Sequence, residues 1–341
     1  MNILMYCDTG NRNNILITLE SFYMFHQNTS VNLYVLGRNW NDYEKNEIEK
    51  YLEKKKSRFF YVEMKQRLEE LDYFDYRLSI FFSYFWAPQL IDEDRIICVD
   101  NDVIFNTNVL DIYEQDFHGR LILGVIDWNP QIAKAAVGLK DSDNYINSGV
   151  MLMNLQALRE FGVFGKAKEF IASYDILNHF NALNNATKNE VTTWELIYSN
   201  ALGVFLHDQG TLASVLRGKI GLLPPKYNVL RPIFDCDNEE LVNKFDKHYR
   251  LEQLVEAKNE PGIIHFAGGN SCKPWKSECT HPYKDKYYEY ANRLGIEVIQ
   301  QQERKKCLFV FQKRNMLKIM PKWLKIKIYQ HFIKKRRIMH G

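Results

Sequence analysis

Apolar and polar positions alternate along the chain with two periods. From Asn2 to Cys7 the sequence runs apolar and closes on the turn cluster Asp8-Thr9-Gly10-Asn11, which predicts a buried strand with a loop at its carboxyl end. Positions 14–26 then carry Ile15, Leu19, Phe22, Tyr23 and His26 at helical spacing. Val31–Leu36 predicts a second strand. The charged stretch 41–56, with Tyr43, Ile48 and Leu52 on one stripe, predicts a helix, and Phe59–Val62 a third strand. Strands alternating with helices imply a parallel α/β sheet, whose ligands sit at the carboxyl ends of strands. Further on, 78–90 reads as an aromatic-rich helix ended by Pro88 and Asp92-Glu93-Asp94. Leu121–Ile126 is a strand closing on Asp127, and Tyr145–Leu155 begins small and polar before turning apolar. Helices are expected near 156–175 and from His207-Asp208-Gln209-Gly210. Between them, 178–195 is rich in Asn and Thr and reads as a mobile loop or a short exposed helix. Ile263–Ala267 is a late strand ending at Gly268-Gly269-Asn270.

One stretch departs from this pattern. Ile96–Val99 leads into Asp100-Asn101-Asp102 and at once into Val103–Phe105. Asp-x-Asp occurs four times in the chain, at 92–94, 100–102, 141–143 and 235–237, and three of these read as solvated turns. Only the pair at 100 and 102 lies between two core-forming runs, where an unpaired charge is costly. In an extended segment, residues i and i+2 share a side, so both carboxylates could face one cation.

Composition narrows the function classes. The 341 residues, 46% hydrophobic and 14% aromatic, suffice for a full core. The formal net charge of +3 conceals a division, because 304–341 holds 13 of the 45 Lys and Arg residues and none of the 42 acids. The acidic body argues against a nucleic-acid binder. Six cysteines (7, 98, 236, 272, 279 and 307) form no Cys-x-x-Cys pair. No signal peptide is expected, since Met1 leads straight into the first apolar run, so a reduced cytoplasmic protein is the simpler reading. No segment reaches the ~18 apolar residues of a membrane span.

Two carboxylates suit Mg²⁺ or Mn²⁺. Among nine histidines, His265 stands out at a strand end before a glycine pair. By itself it reads rather as a half-buried histidine with a backbone partner; as a third ligand its nitrogen would favour Mn²⁺. Gly268-Gly269 followed by Lys273-Pro274-Trp275 offers backbone N–H groups and an ammonium to a diphosphate. Neither a P-loop nor a dinucleotide fingerprint is present.

Taken in order, these blocks resemble the family 8 glycosyltransferases, retaining enzymes that include the bacterial lipooligosaccharide galactosyltransferases. The likeness rests on the strand ending in Asp8, Val99-Asp100-Asn101-Asp102-Val103, Ile126-Asp127 and Ile146-Asn147-Ser148-Gly149-Val150. It continues through Asp208-Gln209 and from His265 to Lys273-Pro274-Trp275, so it spans Met1 to about Trp275. The resemblance implies a GT-A, Rossmann-like fold with a mixed central sheet, and a UDP-sugar donor. It places Asp8 at the uracil, in a pocket built by the strand that carries Tyr6. It assigns Asp100, Asp102 and His265 to Mn²⁺, with Mg²⁺ as the second candidate, and Asn101 and Asp102 to the ribose or donor sugar. Gly268 and Lys273 would bind phosphate oxygens. Asn147, Asp208 and Gln209 would surround the transferred sugar, and Asp127 would stand near the acceptor hydroxyl. Two departures stand out: Tyr84-Phe85-Trp86-Ala87 holds no Arg or Lys where the family often does, with Arg77 the nearest upstream, and the segment from His265 to Lys273 is long.

The expectation is therefore a Mn²⁺-dependent hexosyltransferase domain over 1–300, with galactose favoured over glucose and a glycan acceptor on a bacterial surface polymer or glycoprotein. A basic helical extension over 301–341 would follow it. There Leu324, Ile328 and Phe332 recur every four residues after Pro321, interleaved with lysines, which suggests peripheral attachment to anionic lipid. The competing reading is a catalytically inactive sugar-nucleotide-binding scaffold at the membrane. The presence of Asp100, Asp102, His265 and Gln209 together argues against it.

Overall fold

The structure, a computed structural model, describes residues 1–71, 78–128, 130–173 and 207–300. Arg77, the stretch 178–195 and the expected basic extension over 301–341 lie outside these residues. The amino-terminal third follows the hydrophobic pattern closely. Strands β1 (Asn2–Asp8), β2 (Asn32–Arg38) and β3 (Arg58–Glu63) pair in parallel, with helices Arg12–Phe25 and Asp42–Lys54 as crossovers. Asn41 caps the second helix by accepting from Glu44 N–H, while the Glu44 carboxylate returns to Asn41 N–H. The same carboxylate accepts from Thr9 Oγ1 and Gly10 N, both at 2.6 Å, so a helix start also pins the loop after β1.

The central sheet has the order β3-β2-β1-β4-β7-β6-β8, with β4 (Arg95–Val99), β6 (Ile122–Ile126), β7 (Ile146–Asn154) and β8 (Ile220–Leu222). Alternation alone implies a parallel sheet, but β7 runs antiparallel to both β4 and β6. A continuous apolar run carries no direction, so periodicity could not reveal this reversal. It brings the start of β7 to the edge where β1, β4 and β6 end. Pairing between β6 and β7 also breaks there: Gly124 faces Met151, but Ile126 faces Ile146, three residues further along than unbroken register gives.

A second sheet has the order β5-β10-β9, built from β5 (Val103–Phe105), β10 (Ile263–His265) and β9 (Val229–Leu230). The chain therefore changes sheets between β4 and β5, in the three residues Asp100, Asn101 and Asp102. The two carboxylates lie in this tight connection, not in an extended run, and an acid at a sheet-to-sheet crossing still has the core on either side. The aromatic stretch expected as one helix is a 3₁₀ helix, Ser79–Trp86, followed by a single α turn, Ala87–Leu90. Seven of its eight 3₁₀ residues are buried, including Tyr84 and Phe85, so packing rather than an amphipathic stripe sets its geometry.

Candidate active site

The carboxyl ends of β1 and β4, the loop after β10 and the 3₁₀ helix enclose an open cleft of about 370 Å³. Tyr6, Asp8, Phe81, Asp100, Asn101, Asp102, His265, Gly268, Lys273 and Trp275 line it. At one end the Asp8 carboxylate is held bidentately by Arg38, Oδ1 to Nε at 2.5 Å and Oδ2 to Nη2 at 2.7 Å. Arg38 is buried and also donates to Ser79 Oγ at 3.1 Å, whereas the Asp8 side chain keeps 39% of its exposure. Register pairs Asp8 with Arg38 across β1 and β2. The sequence reading missed Arg38, although a lone charge closing the run Leu33–Gly37 is the same strand-end signal that marked Asp8.

At the other end, Asp100, Asp102 and His265 converge. His265 Nε2 lies 3.4 Å from Asp100 Oδ2 and 3.2 Å from Asp102 Oδ1, and one ligating atom from each residue falls within 4.8 Å of the others. Antiparallel β5 and β10 bring this about: His265 pairs with Val103, and Phe266 N–H donates to the Asp102 carbonyl at 2.9 Å. Tyr6 donates from its hydroxyl to Asp100 Oδ1 at 2.6 Å. Lys273 contacts Asp102 Oδ2. Burial works against the Asp102 charge, but Lys273 and His265 outweigh it and hold the carboxyl well below the usual range. Burial likewise depresses His265, and Asp102 and Asp100 more than reverse this, raising its pKa to about 9.

The donor set fits a divalent cation. Ligands about 2.1 Å from one octahedral ion lie about 3 Å apart, close to the separations here, and two carboxylates with one imidazole suit a borderline-hard metal. Gly149 makes room for it on the inner side. A Cβ there would lie 2.1 Å from His265 Cε1 and 2.9 Å from Asp100 Oδ2. Gly268 takes φ +115°, a conformation that frees the backbone to turn towards the cleft.

Beyond the triad lies a second cluster. Gln209, in the first turn of the helix Asp208–Val215, donates from Nε2 to Asp127 Oδ2 at 2.7 Å and accepts at Oε1 from Ser148 N at 3.1 Å. Asn147 Nδ2 reaches Asp127 Oδ1 at 3.4 Å. Burial raises the Asp127 pKa against these hydrogen bonds. Asp208 is buried and accepts from Tyr84 OH at 3.1 Å, from Ser148 Oγ at 3.0 Å and from His207 Nδ1. Burial first, and then the Asp208 charge, push the Tyr84 phenol up, so it stays a donor. Tyr84 thus stands on Asp208 at the point where a cationic side chain was looked for. Every expected site residue lines the cleft or belongs to this second cluster. Asn228, which joins the two through Asn147 and His265, and Ser148, which joins Asp208 to Gln209, were missed: Asn228 precedes a two-residue strand that has no periodic signature.

A family model described as glycosyl transferase family 8 matches residues 2–198. The chain belongs to that family. General stress protein A of Bacillus subtilis is 25% identical over 237 residues, 66% of this chain and 68% of the relative. A putative glycosyltransferase of Haemophilus influenzae is 22% identical over 192 residues, 55% of this chain and 46% of that protein. Among solved structures, the galactosyltransferase LgtC in complex with donor and acceptor sugar analogs matches with a TM-score of 0.64 at 16% identity, covering 86% of this chain and 96% of that one. GlyE of Streptococcus pneumoniae matches at 0.54, also at 16% identity, over 85% of this chain and 60% of that one. The seven-stranded mixed sheet is that of the GT-A fold, and the family 8 chain is a glycosyltransferase. Among the described residues, no helix is long and apolar enough to cross a membrane.

Proposed function

We propose that this family 8 glycosyltransferase is a Mn²⁺-dependent, retaining hexosyltransferase that takes galactose, and glucose second, from a UDP-sugar to a glycan acceptor. The observation that carries the reading is the convergence of Asp100, Asp102 and His265 with Lys273 on one cleft, from positions more than 160 residues apart. In this reading Asp100, Asp102 and His265 would hold Mn²⁺, with Mg²⁺ as the second candidate, and the ion would supply charge neutralisation for the departing diphosphate. Asp8, kept in place by Arg38, meets the uracil; the Tyr6 ring walls the pocket and its hydroxyl orients Asp100. Asn101 and Asp102 face the ribose or the sugar, and the Gly268 backbone and Lys273 bind phosphate oxygens as their charge grows.

Asn147, Asp208 and Gln209 surround the transferred sugar, with Asp127 beside the acceptor hydroxyl. Both ends of the Gln209 amide are engaged, by Ser148 N–H and by Asp127. That supports steering of the reactants over nucleophilic attack, for which a neutral amide is in any case poor. Transfer then occurs on the face the UDP leaves, and the leaving phosphate takes the acceptor proton. Residues 1–300 form the catalytic domain in this account, and the basic segment 301–341 attaches it to anionic lipid, with the acceptor on a bacterial surface polymer or glycoprotein.

The test is UDP release from a panel of UDP-sugars with Mn²⁺. UDP-galactose is expected to lead, UDP-glucose to follow, and EDTA to stop the reaction. Turnover that survives EDTA, or none with either hexose donor, would rule the proposal out. Removal of 304–341 should abolish co-sedimentation with anionic vesicles and spare UDP-sugar hydrolysis; unchanged vesicle binding would refute the attachment.

A further inference from the structure

The orientation of every amide between the two clusters can be read from one backbone group. Gly149 N–H donates to Asn147 Oδ1 at 3.0 Å. A main-chain N–H only donates, so the Asn147 atom facing it is oxygen, and its nitrogen is the atom turned to Asp127. The same oxygen has a second neighbour, the Asn228 side chain at 2.9 Å, which must present its NH₂. Asn228 Oδ1 is then left facing His265 Nδ1, also at 2.9 Å. An amide oxygen only accepts, so Nδ1 carries hydrogen. Nε2 is the nitrogen turned to Asp100 and Asp102, where a cation can use its lone pair. Side-chain geometry alone could not settle these assignments, because amide and imidazole atoms interchange freely. The main chain settles them in sequence.

Asn228 is the middle link. It is 1% exposed and follows the 3₁₀ turn Pro225–Tyr227, at the start of β9. Strand β9 runs parallel to β10, with Leu230 opposite His265, which brings the Asn228 side chain against the imidazole. Its two hydrogen-bonding ends point to opposite clusters.

We infer that Asn228 is a positioning residue: it fixes the ring of His265 with Nε2 towards the carboxylates and ties that ring, through Asn147, to Asp127 and Gln209. This rests on the reading of the triad as a cation site. Partners of this kind on a metal-bound imidazole fix its tautomer and orientation, and their loss costs metal affinity.

The experiment compares the wild type with Asn228→Leu and Asn228→Asp, each checked for folding by thermal melting. Mn²⁺ uptake in the presence of UDP is read from the electron paramagnetic resonance signal of free Mn²⁺. Leucine removes both hydrogen bonds, so Mn²⁺ affinity should fall about 10–100-fold. The preference for Mn²⁺ over Mg²⁺ should narrow with it, since the imidazole nitrogen is its source. Aspartate still accepts from His265 Nδ1–H but sets an oxygen against Asn147 Oδ1. It should hold Mn²⁺ as the wild type does, with kcat lowered and KM for the sugar nucleotide unchanged. A folded leucine variant with wild-type Mn²⁺ affinity overturns the inference, as does an equal loss of Mn²⁺ in both variants. Nitrogen-edited proton spectra keep this apart from the cation reading. If the wild type takes up no Mn²⁺ the cation site is wrong, but the hydrogen-bonded Nδ1–H resonance of His265 still decides the positioning. Its downfield, hydrogen-bonded position should be kept in the wild type and in Asn228→Asp and lost in Asn228→Leu; an unmoved resonance in the leucine variant overturns the role. Should leucine prevent folding, the aspartate variant decides: retained Nδ1–H with lowered kcat supports the role, and a lost resonance or unchanged kcat overturns it.

Discussion

The two sides of the site differ in what keeps them in place. Around Asp102 the contacts are ionic: two carboxylates, an ammonium from a loop and an imidazole whose pKa the carboxylates raise to about 9. Around Gln209 the carboxylates of Asp127 and Asp208 are held by amide, hydroxyl and imidazole groups, and backbone N–H groups fix the amides in turn. Charge pairing tolerates some freedom of distance and answers to other charges, so the first side is built to exchange partners with a cation and a diphosphate. Directional hydrogen bonds in a buried setting do not exchange easily, so the second side is built to stay still while a bond is made.

The largest expected effect falls on the ionic side. Asp102→Asn should cut UDP release on the order of 10³-fold, the scale of losing several kcal/mol of charge stabilisation. Excess Mn²⁺ should recover little of it. Activity within a few-fold of wild type would show that the triad does not hold the working cation. On the amide side, Gln209→Ala should lower turnover on the order of 10²-fold, as expected for a group that orients the reacting centre. Asp208→Asn should act in the same direction, because an amide NH₂ would face hydroxyls that now donate. In both variants UDP affinity should hold, by calorimetry; if it fell in step with activity, the division between the two sides would dissolve.

Gly149 belongs to both sides, so its substitution tests whether they are separable at all. Gly149→Ala sets a methyl 2.1 Å from His265 Cε1 against a ring that Asn228 holds from behind. Overpacking of this kind should destabilise by about 1–3 kcal/mol, seen as a lower Tm. An unchanged melt would mean that the ring yields freely.

The smallest effect concerns acid. His281 lies behind the loop that carries Lys273, packed against Phe266 and Phe234, and is 1% exposed. Burial, reinforced by Arg231, pushes its pKa down to about 4 from an ordinary 6.5. The unfolded chain therefore takes the proton first. The contribution of neutral His281 is fully present above about pH 6.5 and is lost as pH falls towards 4. Tm measured across that window should drop less in His281→Phe than in the wild type; parallel curves would remove His281 from the account.

How far the sequence exposes this division depends on which kind of contact is involved. Asp8, Asp100 and Asp102 were legible because an acid at the end of a buried strand is rare and needs a partner. His265 was legible through its place before Gly268-Gly269. The parallel units from β1 to β3 followed from period alone. The reversal of β7 did not, nor did the 3₁₀ form of Ser79–Trp86, since neither leaves a distinct spacing. Arg38 was readable by the same strand-end logic as Asp8 and was passed over. Asn228 and Ser148 act through hydrogen bonds whose partners lie 37 to 81 residues away, and an isolated amide or hydroxyl gives no hint of that. Ionic sites advertise themselves through the cost of burial; neutral networks do not.

The break in pairing between β6 and β7 has a consequence for how this centre can change under mutation. Register is lost just where Ser148 and Gly149 sit, and their N–H groups turn to Gln209 and Asn147. These donors belong to the main chain. Substitution of the side chains at either position cannot delete them, and only proline would. The polarity of the amide relay is thereby inherited with the path of the backbone, so the residues around it can diverge without reversing its direction.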